Sequence, residues 1–250
     1  MRRLALAVAG LLSLAAPALA AEGGPALPTQ SWSFNGFFGT YDRAALQRGL
    51  QVYTSVCANC HGLRLVAYRN LTALGYTMDQ VRTIAGAIEV PTLNDQGEPT
   101  NRAGLPSDRF RAPFPNPLAA RAANRGALPP DLSLITKARA GGADYIYALL
   151  TGYTDPPAGV TMMEGMNYNT YFPGHQIAMA PPLTDGVVPY GDGTRNTIPQ
   201  MARDVAHFLT WAAEPELEAR HRLGVQVVLF LILLTGVLYA VKRKVWADQH

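Results

Sequence analysis

Cys57-Ala58-Asn59-Cys60-His61 decides the fold, because this pentapeptide contains both cysteines of the 250-residue chain. Two thiols three positions apart can each add to one vinyl group of a single porphyrin, and a histidine directly after the second thiol can reach the iron. A thioredoxin-like redox pair would need a strand before it, and a structural zinc site would need two further ligands at suitable spacing. The remaining histidines are scattered: His175, His207, His221 and His250. The motif therefore predicts one haem c bound covalently through Cys57 and Cys60, with His61 as an axial iron ligand.

The first twenty residues have the pattern of a secretory signal peptide. Arg2 and Arg3 precede an apolar run that extends to Ala16, and Ala18-Leu19-Ala20 matches a cleavage site. We therefore expect residues 1–20 to be removed on export, which places the mature chain outside the cytoplasm.

A second apolar segment lies near the C-terminus. Residues 223–241 form a run of 19 residues without a charge. As a helix this run spans about 28 Å, close to the bilayer core of about 30 Å. We expect it to be a single transmembrane anchor helix in a bacterial inner membrane, with residues 21–222 as a periplasmic haem domain and residues 242–250 as a cytoplasmic tail.

The charge balance changes once both ends are set aside. The whole chain has a formal net charge of +3, but Arg2, Arg3 and the basic tail carry that excess, which leaves about −1 for the exported part. Nothing in the sequence therefore indicates nucleic-acid binding.

Helical patterns recur between the two apolar ends, separated by long glycine- and proline-rich stretches. Asp42 is placed to cap a helix whose apolar stripe continues to Cys57. Five further helices are predicted. Capping boxes at Thr77 with Gln80 and at Thr197 with Gln200 begin two of them. The others begin at Asn116-Pro117, at Asp131 with an end at Gly141-Gly142, and at Ala143 with an end at Leu150. No convincing strand alternation occurs, so we predict an all-α fold.

The sixth iron ligand is open when only residue types and spacing are considered. Met179 is followed by Ala180-Pro181-Pro182, whose prolines stiffen the backbone beyond a thioether that must stay aligned with the metal. His175 is the main competitor. Three methionines in a glycine-broken loop are further alternatives: Met162, Met163 and Met166.

Four stretches in the expected order resemble the cytochrome c1 family. They are the pentapeptide at 57–61, the segment Arg121-Ala-Ala-Asn-Arg-Gly-Ala-Leu-Pro-Pro-Asp-Leu-Ser133, the segment Tyr171-Phe-Pro-Gly-His-Gln-Ile-Ala-Met-Ala-Pro-Pro-Leu183, and Trp211-Ala-Ala-Glu-Pro-Glu216 ahead of the anchor. The resemblance implies a c-type cytochrome fold with long inserted loops, at residues 86–117 and 152–197, plus one C-terminal transmembrane helix. It also implies that Met179 is the second axial ligand.

The resemblance implies further contacts with the haem. Arg139 and Tyr145 resemble residues that meet a haem propionate, and a guanidinium is suited to neutralise a partly buried carboxylate. The lining of the pocket is implied to consist of Asn124, Pro129, Pro130, Ile135, Leu149, Leu150, Phe172, Ile177 and Pro182. Some bacterial relatives clamp the loop near the methionine with an extra cysteine pair. This chain has no spare cysteine, so we expect packing and prolines to hold that loop.

The function implied by the resemblance is electron transfer in the cytochrome bc1 complex, the ubiquinol:cytochrome c oxidoreductase. Single electrons would arrive from the Rieske iron-sulfur protein and leave to a soluble or anchored c-type cytochrome, within a dimeric complex that contains cytochrome b. The haem itself would only transfer electrons. Two alternatives stay open: a free-standing membrane-anchored carrier, and a haem enzyme or gas sensor in which Met179 is displaced.

Overall fold

Seven α-helices and four short strands form the regular structure of residues 25–249, the part of the chain that the computed structural model describes. The helices are α1 (Arg43–Ser55), α2 (Met78–Gly86), α3 (Pro117–Ala123), α4 (Ile135–Ala138), α5 (Gly142–Thr151), α6 (Ile198–Ala213) and α7 (Leu217–Val245). The strands are β1 (Glu89–Leu93), β2 (Pro99–Ala103), β3 (Asn167–Tyr168) and β4 (Gln176–Ile177). The predicted signal peptide, residues 1–20, lies outside the described residues.

The core is organised by the crossing of α1 and α6. Asp42 caps α1 as predicted, since its carboxylate accepts hydrogen bonds from the amides of Ala44 and Ala45. At the crossing point, a Cβ added to Gly49 would overlap the carbonyl oxygen of Asp204. The two helix backbones therefore touch, and this contact fixes the end of α1 from which the haem motif continues.

A buried ion pair secures the same crossing. The Asp204 carboxylate is fully buried and accepts two hydrogen bonds from Arg48, Nε to Oδ2 at 2.9 Å and Nη2 to Oδ1 at 3.0 Å. The Gln200 amide donates to both oxygens at 3.1 Å. The predicted capping box at Thr197 and Gln200 is therefore wrong, because a buried carboxylate needs every donor within reach and takes the Gln200 side chain.

Two other helix predictions differ in their outcome. The capping box of Thr77 and Gln80 is confirmed at the start of α2. The helix predicted from Asp131 to Gly141 is wrong, because α4 covers four residues only and has no side-chain cap. Asp131 instead uses its carboxylate to bind a distant loop, as described below.

Both predicted insertions contain a small antiparallel hairpin. Strands β1 and β2 pair from Glu89 opposite Ala103 to Leu93 opposite Pro99, and β3 and β4 pair Asn167 with Ile177. The expectation of helices alone is therefore corrected in these loops. Strands β1 and β2 escaped prediction because they are largely exposed, so that a buried apolar face does not mark them. Strands β3 and β4 have two residues each, too few to show an alternation.

A hydrogen-bonded neck joins the last helix to the rest of the molecule. The helical structure is interrupted between α6 and α7, around Pro215. There the Tyr41 hydroxyl donates to the carbonyl oxygen of Glu214 at 2.8 Å. The Glu218 carboxylate accepts from the Tyr41 amide at 2.8 Å and from Arg43 at 2.6 Å. These contacts hold the start of α7 firmly against the N-terminus of α1.

Beyond the neck, α7 carries the apolar segment away from the core. It has the length and composition to cross a membrane, with a mean hydropathy of 2.4 over its most apolar 18 residues, none of which is buried within the described structure. Basic residues follow in the last turn at Lys242, Arg243 and Lys244. This exposed apolar surface supports the predicted anchor.

Candidate haem site

The haem motif forms a tight turn directly after α1. Residues Cys57–Asn59 make one 3₁₀ turn, in which the amides of Cys60 and His61 both donate to the carbonyl oxygen of Cys57, at 3.1 and 2.9 Å. Both thiols are free and half-buried. Burial raises the pKa of the Cys57 thiol to about 12, so it is protonated at neutral pH. Two unpaired thiols on one turn suit attachment to one porphyrin.

The His61 ring is held in a single tautomer. Its Nδ1 atom lies 2.8 Å from the carbonyl oxygen of Pro130, and because a carbonyl oxygen can only accept, Nδ1 carries the proton. Burial lowers the pKa of His61, which keeps the imidazole neutral. The Nε2 lone pair is then available to a metal, in the arrangement that is usual for metal-binding histidines.

A carboxylate clamp keeps Pro130 in contact with His61. Asp131 Oδ2 accepts from the Arg64 amide and Oδ1 accepts from the Ser133 amide, both at 3.0 Å. Although partial burial opposes ionisation, these hydrogen bonds and that of the Ser133 hydroxyl hold the pKa of Asp131 below its usual value. The loop after His61 is thereby tied to a segment about seventy positions away, a role that the sequence did not suggest.

The Met179 segment is held by hydrogen bonds to its backbone. The Tyr153 hydroxyl donates to the carbonyl oxygen of Met179 at 3.0 Å, and the Asn167 amide approaches the same oxygen at 3.4 Å. Burial raises the pKa of Tyr153, so that its hydroxyl stays a donor. The Met179 side chain is half-buried and its backbone is fixed beside the β3–β4 hairpin.

Asn169 is a positioning residue that sequence reasoning missed. It is fully buried, its Nδ2 atom donates to the carbonyl oxygen of Leu149 at 2.8 Å, and its Oδ1 atom accepts from the amides of Tyr171 and Phe172 at 3.0 and 3.2 Å. It therefore joins two predicted pocket residues, Leu149 of α5 and Phe172. The accepting side resembles an Asx-type turn, which an asparagine in a loop could have suggested, but the bond to α5 has no local signal.

The other predicted pocket residues differ in their exposure. Ile135 and Tyr145 are buried and Pro130 and Arg139 are exposed, whereas the others are half-buried: Asn124, Pro129, Leu149, Leu150, Phe172, Ile177 and Pro182. Burial raises the pKa of Tyr145, and the nearby Arg139 guanidinium opposes that rise, which places the two predicted propionate contacts in one region. The Asn124 side chain donates to the carbonyl oxygen of Ala120 at 2.7 Å, so it also closes the end of α3.

The competing axial ligands differ in their surroundings. The His175 ring stacks on Tyr168, with 5.6 Å between ring centroids, and its Nδ1 atom faces the carbonyl oxygen of Asn169 at 3.4 Å. Met163 is 58% exposed. Met162 and Met166 line a cavity of about 580 Å³ together with Tyr153 and Leu150.

The donor groups on this chain fit a haem that is attached covalently. They comprise two free thiols, an imidazole with a free Nε2 atom, and a thioether whose backbone is fixed. Within residues 25–249 no group of three or more His, Cys, Asp or Glu side chains could enclose a metal ion unaided. Two thiols and a neutral imidazole on one turn are the groups through which a c-type haem is held.

Comparison with known proteins gives a consistent result. The model of the Cytochrome C1 family matches residues 32–249. Cytochrome c1 of Rhodospirillum rubrum is 48% identical, over 98% of this chain and 96% of the relative. The mitochondrial cytochrome c1 heme protein of Saccharomyces cerevisiae is 53% identical, over 94% of this chain and 77% of the relative. Cytochrome b/c1 of Bradyrhizobium diazoefficiens is 49% identical over 99% of this chain, which spans only 40% of that longer protein. The chain therefore belongs to the cytochrome c1 family.

Proposed function

We propose that this protein is the haem-bearing electron-transfer subunit of a cytochrome bc1 complex. One haem c would be held by Cys57 and Cys60, with His61 and Met179 as axial ligands and with Arg139 and Tyr145 near the propionates. The observation that carries the proposal is the His61 ring, whose Nδ1 proton is donated to Pro130 and whose Nε2 atom is left for iron. Family membership supports the same cofactor and role.

The bound haem would supply reversible one-electron chemistry. The protein's own residues tune that chemistry by position. A neutral thioether from Met179 favours ferrous iron and raises the reduction potential relative to a second imidazole. Two protein ligands also leave no open coordination position, so oxygen and peroxide chemistry is disfavoured. The half-buried apolar residues Leu149, Leu150 and Phe172 would exclude water, which acts on the potential in the same direction.

The partners follow from the family and from the membrane helix. We propose that the protein accepts electrons from a Rieske iron-sulfur protein, passes them to a soluble or anchored c-type cytochrome, and packs beside cytochrome b in a dimeric complex. Quinol oxidation is then an activity of the whole complex, in which this chain is a redox subunit. One relative is named cytochrome b/c1, and that pairing of names supports cytochrome b as a neighbour.

The proposed location follows from the apolar ends. Residues 223–241 within α7 would cross the bacterial inner membrane once, with the haem domain of residues 21–222 in the periplasm and residues 242–250 in the cytoplasm. The exposed apolar surface of α7 supports the anchor. The signal-like sequence of residues 1–20 supports the orientation.

Substitution of Met179 by leucine tests the assignment of the axial ligand. Met179→Leu keeps an apolar side chain of similar volume, but it removes the sulfur. It should abolish the sulfur-to-iron charge-transfer band of the oxidised protein and lower the reduction potential. Met163→Leu is the matched control, because Met163 is exposed, and it should leave both unchanged. An unchanged band in Met179→Leu would move the ligand elsewhere, with Met166 the next candidate.

Purification from membranes separates the proposed function from its alternatives. A redox titration and visible spectrum of the extracted protein should report one haem c together with a stoichiometric b-type haem subunit. A haem c protein without that companion would indicate a free-standing carrier. Binding of carbon monoxide to the ferrous protein at neutral pH would indicate an open site, as in a haem enzyme or gas sensor.

A further inference from the structure

Two phenylalanines project from a tight turn ahead of α1. Phe37 and Phe38 are 55% and 80% exposed, and their ring centroids lie 5.1 Å apart. They are the two central residues of a turn in which the Gly39 amide donates a hydrogen bond to the carbonyl oxygen of Gly36. Gly36 itself has a φ of +82°. Both rings therefore stand at the tip of the turn. An adjacent pair of exposed aromatic rings without a polar group is typical of an interaction surface.

Hydrogen bonds along α7 show which way this tip points. The Tyr41 amide donates to Glu218, whereas the carbonyl oxygen of Gly39 accepts from the Nδ1 atom of His221 at 3.2 Å. A move of two residues towards the N-terminus, from Tyr41 to Gly39, therefore corresponds to a move of three residues towards the C-terminus of α7, a rise of about 4.5 Å along that helix. Extrapolated at the same rate, residues 38 and 37 come level with residues 222–224 of α7, where the apolar segment begins.

Hydrogen bonds hold the base of this turn in place. The Thr40 amide donates to the carbonyl oxygen of Ser33 at 3.0 Å and closes the base of the loop. The neck at Tyr41, Glu214 and Glu218 then holds that base against α7. The base of the turn that carries the two rings is therefore joined to the start of α7 by hydrogen bonds.

We infer that Phe37 and Phe38 form a second membrane contact, a wedge that enters the interfacial layer of the bilayer beside the point where α7 enters it. The inference rests on the proposed anchoring by α7. Residues 36–41 carry no charge, so no ionised side chain in the turn opposes entry into the interface, where apolar side chains such as phenylalanine can bury at the boundary between headgroups and acyl chains. Lipid is the occupant that we infer because the tip continues the exposed apolar surface of α7, and a single helix beside cytochrome b still turns part of that surface to the bilayer. Two contacts, in place of one, would fix the tilt of the haem domain above the membrane.

The test uses the full-length haem-loaded chain alone in nanodiscs of phosphatidylcholine and phosphatidylglycerol, so that only lipid can shield the turn. Once Cys57 and Cys60 are attached to haem, a cysteine introduced by Phe38→Cys is the only free thiol and takes a nitroxide spin label. Leu229→Cys in the middle of α7 serves as the lipid reference. Gln96→Cys, exposed at the tip of the β1–β2 hairpin, serves as the water reference. Haem absorbance confirms folding, and Phe37→Cys is the second reporter.

Collision rates with oxygen and with a water-soluble nickel complex give the answer. Relative to the label at 96, the label at 38 should collide more often with oxygen and less often with the nickel complex. Its ratio of oxygen to nickel collision rates should therefore approach the ratio measured for the label at 229. A nickel rate at 38 and at 37 equal to that at 96, while 229 is shielded, would overturn the wedge and leave the anchor intact. Free access of nickel to 229 would overturn the anchor, and the wedge with it.

Discussion

Replacement of Asn169 by alanine should destabilise the loop that leads to Met179 by more than the loss of any single hydrogen bond would. The buried amide satisfies three backbone groups at once: the carbonyl of Leu149 and the amides of Tyr171 and Phe172. A buried polar group that loses its partner costs about 1–3 kcal/mol. With some relief from water that enters the space, Asn169→Ala should cost roughly 3–5 kcal/mol, a large share of a total stability of about 5–15 kcal/mol.

Two measurements check this value. Guanidinium unfolding of the haem-loaded protein, followed by haem absorbance, gives the loss of global stability. Amide hydrogen exchange at Tyr171 and Phe172 gives the local loss, and a cost of about 3 kcal/mol corresponds to exchange about 10²-fold faster. Asn169→Asp should also be destabilised, because a carboxylate can accept from the two amides but cannot donate to Leu149.

The control is Asn101→Ala in the β1–β2 hairpin. Asn101 is exposed and makes one side-chain hydrogen bond, to Glu89 at 2.9 Å, so its loss should change stability by less than about 0.5 kcal/mol. If Asn169→Ala were as stable as Asn101→Ala, or if exchange at Tyr171 and Phe172 were unchanged, the assignment of Asn169 as the organiser of this loop would be refuted.

Three further predictions concern the rest of the molecule. Gly49→Ala should cost at least about 1–3 kcal/mol by thermal unfolding, because the added Cβ overlaps α6; Gly86→Ala, where the Cβ meets nothing within 4 Å, should be neutral or slightly stabilising. Glu218→Ala should speed hydrogen exchange of the Tyr41 amide, which this carboxylate binds, and should lower the free energy of unfolding by only about 1 kcal/mol. Unchanged exchange would show that this hydrogen bond does not hold the neck. Hydrogen bonds from Arg102 lower the pKa of Asp108 to about 2, so their stabilisation is complete above the ordinary pKa of about 3.9 and is lost as the pH falls towards 2. The thermal midpoint should therefore depend less on pH in this range in Asp108→Asn than in the parent, and equal slopes would sink the assignment.

The sequence predicts those features whose chemistry is local. The pentapeptide at 57–61 forms one turn that carries both thiols, and the uncharged run at 223–241 forms an apolar helix long enough to cross a membrane; each could be predicted without reference to the rest of the chain. Capping rules failed where another group took the same side chain. Gln200 binds Asp204, four positions along the same helix, and that carboxylate is buried only because α1 brings Arg48 against it from 156 positions away. Asp131 binds a loop 67 positions away. The burial of Asp204 and the loop contact of Asp131 depend on the finished fold, and the spacing of residues does not reveal them.

The segment that carries His61 is held by more contacts than the segment that carries Met179. The histidine side follows a helix whose backbone touches α6, is clamped by a carboxylate, and would gain two thioether bonds from the haem. The methionine side lies in a loop, and within the described residues it is held by packing and by hydrogen bonds from Tyr153, Asn167 and Asn169 rather than by a disulfide. The expectation that packing and prolines alone would hold this loop was therefore incomplete. With Met179 as the axial ligand that we propose, the thioether would set the potential only while it stayed on the iron, so the hydrogen bonds that hold the Met179 backbone would help to maintain the proposed redox role.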